Sequence, residues 1–173
     1  KNLSDHPALS VVCEVNDPAL VNFDDPIIQT ILRYTAEGSD KRNDLQIEQI
    51  SFAGKPGGPA LFAIAAVLEY QYGRGRLTLD SADPFAAPTV ANRFCEDPRD
   101  LDRLAACVMD TLKFTKASPL KEMISGVSFP DPARGNALED IKALCQRFAG
   151  SGYHPCGTVK MGPSEDPTAV VDP

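Results

Sequence analysis

The chain is short of positive charge, of histidine and of closely spaced cysteines, and each shortage removes a class of function. Seventeen Lys and Arg stand against 24 Asp and Glu, giving a formal charge of −7 and a pI near 4.8. Nucleic acids and anionic membrane surfaces select a basic face, so neither is an expected partner. The basic clusters, Lys41-Arg42 and Arg74 with Arg76, are short and read as solvated turns. The five cysteines (Cys13, Cys95, Cys107, Cys145, Cys156) form no Cys-x-x-Cys, and the two histidines, His6 and His154, lie far apart. No zinc site is expected from that set. Most of the cysteines fall in apolar patterns as small core residues, and a reducing, cytoplasmic compartment fits them. The longest apolar stretch, Pro59 to Leu68, falls well short of a membrane span. No P-loop occurs. Gly73-Arg74-Gly75 lacks the preceding strand, third glycine and following helix of a dinucleotide fingerprint.

With 173 residues, of which 43% are hydrophobic, the chain suits one domain with a core of its own. Fifteen prolines punctuate it, and seven follow aspartate. Asp caps exposed helix amides and Pro suits the first helical position. After Asp25-Pro26 the spacing of Ile27, Ile28, Ile31 and Leu32 predicts a helix. After Asp97-Pro98, Leu101, Leu104, Ala105, Val108 and Leu112 predict another, to about Lys116. A third follows Asn136 through Leu138, Ile141, Leu144, Cys145 and Phe148, and stops at Gly150-Ser151-Gly152.

Strands account for much of the rest. Leu9, Val11, Cys13 and Val15 alternate with Ser10, Val12 and Glu14. Leu45 and Ile47 share one phase while Ile50 and Phe52 share the other, which predicts a bulge near Gln49. Pro59 to Tyr72 begins as a central strand, Gly73-Arg74-Gly75 turns, and Arg76 to Ser81 returns, a candidate hairpin. Thr89 to Phe94 adds a candidate edge strand. This order lacks regular βαβα alternation. It fits an α+β fold: a mainly antiparallel sheet of about five or six strands with the 98–116 and 137–148 helices on one face.

The stretch that speaks to chemistry is Gly152-Tyr153-His154-Pro155-Cys156-Gly157-Thr158-Val159-Lys160-Met161-Gly162. Gly152 and Gly157 permit close backbone approach, and Pro155 fixes the direction of the chain around His154. A proton-transfer residue needs such rigid presentation. Ser151, His154 and an aspartate do not make a convincing hydrolase triad, because no Gly-x-Ser-x-Gly elbow is present. Asn2-Leu3-Ser4 fits a glycosylation sequon, a triplet frequent by chance. Glu165 and Asp166 sit in a proline-rich turn and read as solvated. His6, beside Pro7, reads as a structural hydrogen-bonding residue.

Three segments resemble the glucose-methanol-choline (GMC) flavoprotein oxidoreductases, in the family's order. Asn2-Leu3-Ser4-Asp5-His6-Pro7 is similar to its Asn-Leu-x-Asp-His-Pro element. Gly73-Arg74-Gly75 through Ser81-Ala82-Asp83-Pro84 resembles its Ser-Arg-Gly … Ser-x-Asp-Pro segment, with Gly73 in place of the usual serine. The His-Pro loop, continued by Met161 to Pro173, is the third. The resemblance implies oxidation of a small-molecule alcohol, with hydride passing from CH–OH to flavin and His154 acting as base or stabilising the alkoxide. Tyr153, His154 and Pro155 would then meet the FAD ring, and Cys156 would wall the substrate pocket. The family's glycine-rich FAD domain is not in this sequence, and a second catalytic histidine or asparagine falls beyond Pro173. Residues 1–173 are therefore expected to be a single substrate-binding domain of a larger enzyme, inactive alone, whose partner is the missing FAD-binding domain. Hydroxynitrile-lyase-type members of the family and a non-catalytic module of the same fold are the alternatives.

Overall fold

Leu61-Phe62-Ala63-Ile64-Ala65-Ala66-Val67-Leu68 is apolar at every position, and only the middle of a sheet can cover such a segment on both sides. In the computed structural model, which describes residues 2–131, 133 and 135–173, it takes that place. The strands are β1 (Pro7–Val15), β2 (Ile28–Tyr34), β3 (Leu45–Ile50), β4 (Leu61–Leu68), β5 (Arg76–Thr78), β6 (Thr89–Ala91), β7 (Ile124–Phe129) and β8 (Gly150–Ser151). The main sheet runs β2-β3-β4-β1-β7, with β8 also on β1, and every pairing in it is antiparallel. Among the described residues three α-helices accompany it: α1 (Pro98–Phe114), α2 (Leu120–Met123) and α3 (Leu138–Phe148). The expected α+β architecture, an antiparallel sheet with helices on one face, is the one observed.

Alternation sorts the side chains. Leu9, Val11 and Cys13 of β1, Leu45 and Ile47 of β3, and Phe62, Ile64, Ala66 and Leu68 of β4 meet α1 in the core. Helix α1 starts where its sequence says it should. The Asp97 carboxylate accepts from the Arg99 amide at 3.0 Å and Pro98 takes the first turn. Its buried stripe, Leu104, Ala105, Cys107, Val108, Thr111 and Leu112, lies against the sheet, and α3 packs behind it through Ile141 and Cys145. Burial pushes the thiols of Cys13 and Cys107 up to about 11 and those of Cys95 and Cys145 up to about 12. They stay protonated and inert.

Three sequence expectations are corrected. The helix expected after Asp25-Pro26 is a strand, β2, which begins at Ile28. A register shift between Ile28 and Ile31 slips the strand's phase, so its apolar residues fall at a helix-like spacing. Ile, Thr and Tyr here also favour extended backbone. The bulge expected at Gln49 is that same irregularity, on the partner strand: β3 pairs with β4 without a break from Leu45 to Ile50. The hairpin expected from β4 into β5 does not form, because β3 and β1 already occupy both edges of β4. Strand β5 pairs instead with β6 in a separate two-stranded sheet. Strand β7 carries no clear strand signal in its sequence. It has glycine in its interior, and its register on β1 is irregular.

A buried charge cluster ties α1 to the loops at one end of the sheet. The Arg103 guanidinium meets Asp44 and Asp100, each at 2.8 Å, and donates to the Tyr70 carbonyl at 2.8 Å. Asp100 in turn accepts from the Tyr72 and Gly73 amides, at 2.8 and 2.7 Å. Burial alone would raise the Asp44 carboxyl, but donation from Ser39, the Ala36 amide and Arg103 outweighs it and holds the group below its ordinary value of 3.8. A carboxyl whose folded value lies below its unfolded one contributes stability at higher pH and loses it on acidification. Stability followed by denaturant titration should therefore be at its plateau near neutrality and fall as the pH drops through and below about 4. Arg103→Met strands two carboxylates whose side chains are 0% and 2% exposed. It should cost about 3–5 kcal/mol in the same titration.

Candidate active site

The His-Pro loop is built against the other end of the chain. Asp5, 3% exposed, stands one residue before His6. Its Oδ1 accepts from the amides of both His6 and His154, at 2.8 and 2.9 Å, while Oδ2 accepts from the Ser151 hydroxyl. Ser151 Oγ accepts in turn from the Tyr153 amide at 2.9 Å, so its hydroxyl is engaged away from any hydrolase triad. Ser4 and Cys156 exchange both backbone hydrogen bonds, at 2.9 and 2.8 Å, and the Asn2 side-chain amide donates from Nδ2 to the Gly157 carbonyl at 3.1 Å. Leu3 makes the same two-way exchange with Gly75, at 3.2 and 2.7 Å, which joins the 73–75 turn to the site. The three segments singled out in the sequence thus meet at one place.

Two glycines make the approach possible. A Cβ at Gly152 would lie 2.8 Å from the His6 carbonyl oxygen, and one at Gly157 would lie 2.6 Å from that of Asn2. Gly157 also has a φ of +81°, a conformation that other residues adopt only with strain.

Tyr153, His154, Pro155 and Cys156 are brought together as a continuous exposed edge. Tyr153 is 89% exposed, with its side chain in solvent. The backbone of Cys156 is committed to Ser4 while its thiol stays exposed. The ring of His154 lies on that of His6, centroids 4.7 Å apart and planes at 29°. His6 therefore differs from the sequence expectation: its ring makes no hydrogen bond among the described residues, and it lies between the His154 ring and the Glu69 carboxylate, 3.6 Å from Nδ1. Asp166, read as solvated, is paired with Lys160 and closes a turn by accepting from Thr168, which holds its carboxyl far below the usual range.

Asp5 and Glu69 were not among the sequence candidates. A carboxylate at the entry of an apolar strand must find amide donors when buried, and that is the signal Asp5 offered. The signal for Glu69 is phase. Alternation puts Ala8 and Ser10 of β1 and Ala63, Ala65 and Val67 of β4 on the face away from the helices, and Glu69 continues that series. On this face Ala63, Ala65 and Val67 are themselves buried.

The described residues fit one end of FAD and not the other. A pyrophosphate binds free amides at a helix N-terminus. Here the first turns of α1 and α3 carry Asp100 and Glu139 with Asp140, and the Asp97 carboxylate caps α1. The exposed loop 153–156 carries the Tyr153, His154 and Pro155 rings, side chains that could meet the ring end.

A family model for GMC oxidoreductase, its C-terminal domain, matches residues 71–173. The chain belongs to the GMC oxidoreductase family. Among curated proteins it is similar to the oxygen-dependent choline dehydrogenase of Sinorhizobium medicae, 35% identical over 100 residues, which cover 58% of this chain and 18% of that protein. It is also similar to pyranose dehydrogenase 3 of Leucoagaricus meleagris, 30% identical over 114 residues, or 66% and 19%. The chain thus spans under a fifth of the length of these relatives. Among solved structures, pyridoxine 4-oxidase from Mesorbium loti superposes with a TM-score of 0.77 at 17% identity, over 99% of this chain and 34% of that one. A formate oxidase of Aspergillus oryzae gives 0.76 at 13%, over 92% and 37%. These likenesses establish the fold.

Gly157→Ala should cost about 1–3 kcal/mol and speed amide exchange at Ser4 and Cys156. Gly150→Ala, where a Cβ would meet nothing within 4 Å, should stay within about 0.5 kcal/mol. Urea titration and hydrogen exchange on the two variants separate these outcomes.

Proposed function

We propose that this chain is the substrate-binding part of an FAD-dependent oxidoreductase acting on the CH–OH group of a small alcohol, and that His154 handles the hydroxyl proton. The observation that carries the reading is the presentation of His154. Its amide is fixed by a buried carboxylate, its neighbours are locked by two-way backbone pairing, and its imidazole stays open to solvent. Histidine exchanges protons near neutral pH more readily than any other side chain. A ring held at a fixed place can take the proton of an alcohol as the C–H bond weakens, or stabilise the forming alkoxide.

FAD, when bound, supplies the electron acceptor. Tyr153, His154 and Pro155 would meet its ring, and Cys156 would border the substrate. The phosphate half of the cofactor needs an additional FAD-binding domain, the partner this reading requires. The names of the curated relatives, choline and pyranose dehydrogenases, favour a small hydroxylated substrate.

In the complete flavoenzyme, His154→Ala should slow flavin reduction by an alcohol about a hundredfold or more, equivalent to roughly 2.7 kcal/mol of barrier. Stopped-flow spectroscopy reads this directly, and a loss below about threefold would reduce His154 to a loop residue. The 173-residue chain alone, purified, should be colourless, with no flavin absorbance near roughly 450 nm. A yellow preparation holding stoichiometric FAD would reveal a cofactor site among these residues.

A further inference from the structure

His6 and His154 are the only histidines in the chain, and they lie face to face. The backbone of each is fixed through the same oxygen of Asp5. The ring of His154, however, has no hydrogen bond among the described residues, so the stack on His6 is the contact that can order it.

His6 is itself aimed. The β1–β4 register pairs Ala8 with Val67, and two residues further along each strand His6 lies opposite Glu69. Nδ1 of His6 is buried without a hydrogen-bond partner and faces Glu69 Oε1 at 3.6 Å. The other carboxylate oxygen of Glu69 is held by Arg33 of β2 at 2.9 Å. The Glu69 amide donates to the Asp44 carbonyl at 2.8 Å, and its side chain is only 13% exposed. A carboxylate can only accept, so the contact favours a hydrogen on the Nδ1 that faces it.

We propose that His6 is a positioning residue for His154, its ring ordering the His154 imidazole by stacking, with Glu69 braced by Arg33 setting the orientation and tautomer of His6. The proposal deepens the reading of His154 as the proton-handling group and rests on it for its catalytic consequence. Its structural content stands apart from that reading. A loop histidine held only by its backbone samples several rotamers, and misplacement by about 1 Å costs large factors in rate.

The test is imidazole NMR on the 15N- and 13C-labelled 173-residue chain, whose spectrum contains two rings only. The unsubstituted chain should show ring-to-ring contacts between the histidines and the Nδ1–H tautomer at His6. His6→Ala should release the His154 ring into rotamer averaging, His6→Phe should keep it ordered, and Glu69→Gln should spread His6 over both tautomers. In the flavoenzyme, His6→Ala should lower the rate of flavin reduction on the order of tenfold with little change in KM, and His6→Phe should recover most of it. Ordering of the His154 ring that is unchanged in His6→Ala would overturn the proposal. Where that variant fails to fold, an unaltered His6 tautomer in Glu69→Gln overturns it equally. Loss of ring order upholds the positioning role even if His154→Ala proves kinetically silent, an outcome that would count against the proton-handling reading instead.

Discussion

One buried carboxylate holds the two ends of this domain together. Asp5 receives an amide from its neighbour His6, an amide from His154 and a hydroxyl from Ser151, and it forms no ion pair among the described residues. Hydrogen bonds to a charged acceptor are worth more than neutral ones, and burial raises the cost of leaving any of them unmade. The site geometry depends on this node. The carboxylate sets where the loop amide sits, the paired backbones of Ser4 and Cys156 set its direction, and the two histidine rings then fall into contact.

A second buried cluster supports the same region from behind. Arg103 on α1 joins Asp44, at the start of β3, to Asp100, which holds the amides leading out of β4. The chain leaving that cluster reaches Gly75, whose backbone pairs with Leu3. A Cβ at Gly75 would lie 2.4 Å from the Ala91 carbonyl oxygen, so the first strand of the small sheet is pressed into the same assembly. Helix, hairpin and N-terminal segment are thus fastened in sequence, and the His-Pro loop closes the set.

Much of this was legible without coordinates. Helices α1 and α3 announced themselves through capping aspartates or apolar spacing, and β1 and β4 through alternation and a continuous apolar run. The site loop was legible because glycine, proline and histidine in that spacing have few other uses. What stayed hidden was non-local. The strand character of residues 28–34 depends on a bulge against β3, and the partner of β5 depends on which edges β4 has free. His6 looked like an ordinary histidine beside a proline because its stacking partner lies 148 positions along the chain. Asp5 and Glu69 acquire meaning only when the register of β1 on β4 and the return of the chain at β8 are known.

Asp5 and the His-Pro loop form one coupled unit, and a double-mutant cycle measures the coupling. Asp5→Ala, Ser151→Ala and the double variant of the 173-residue chain would be compared by urea titration. A coupling energy of about 1–3 kcal/mol is expected between the two positions, together with loss of amide protection at His154 whenever Asp5 is replaced. Additive effects within about 0.3 kcal/mol, with His154 protected as before, would contradict it.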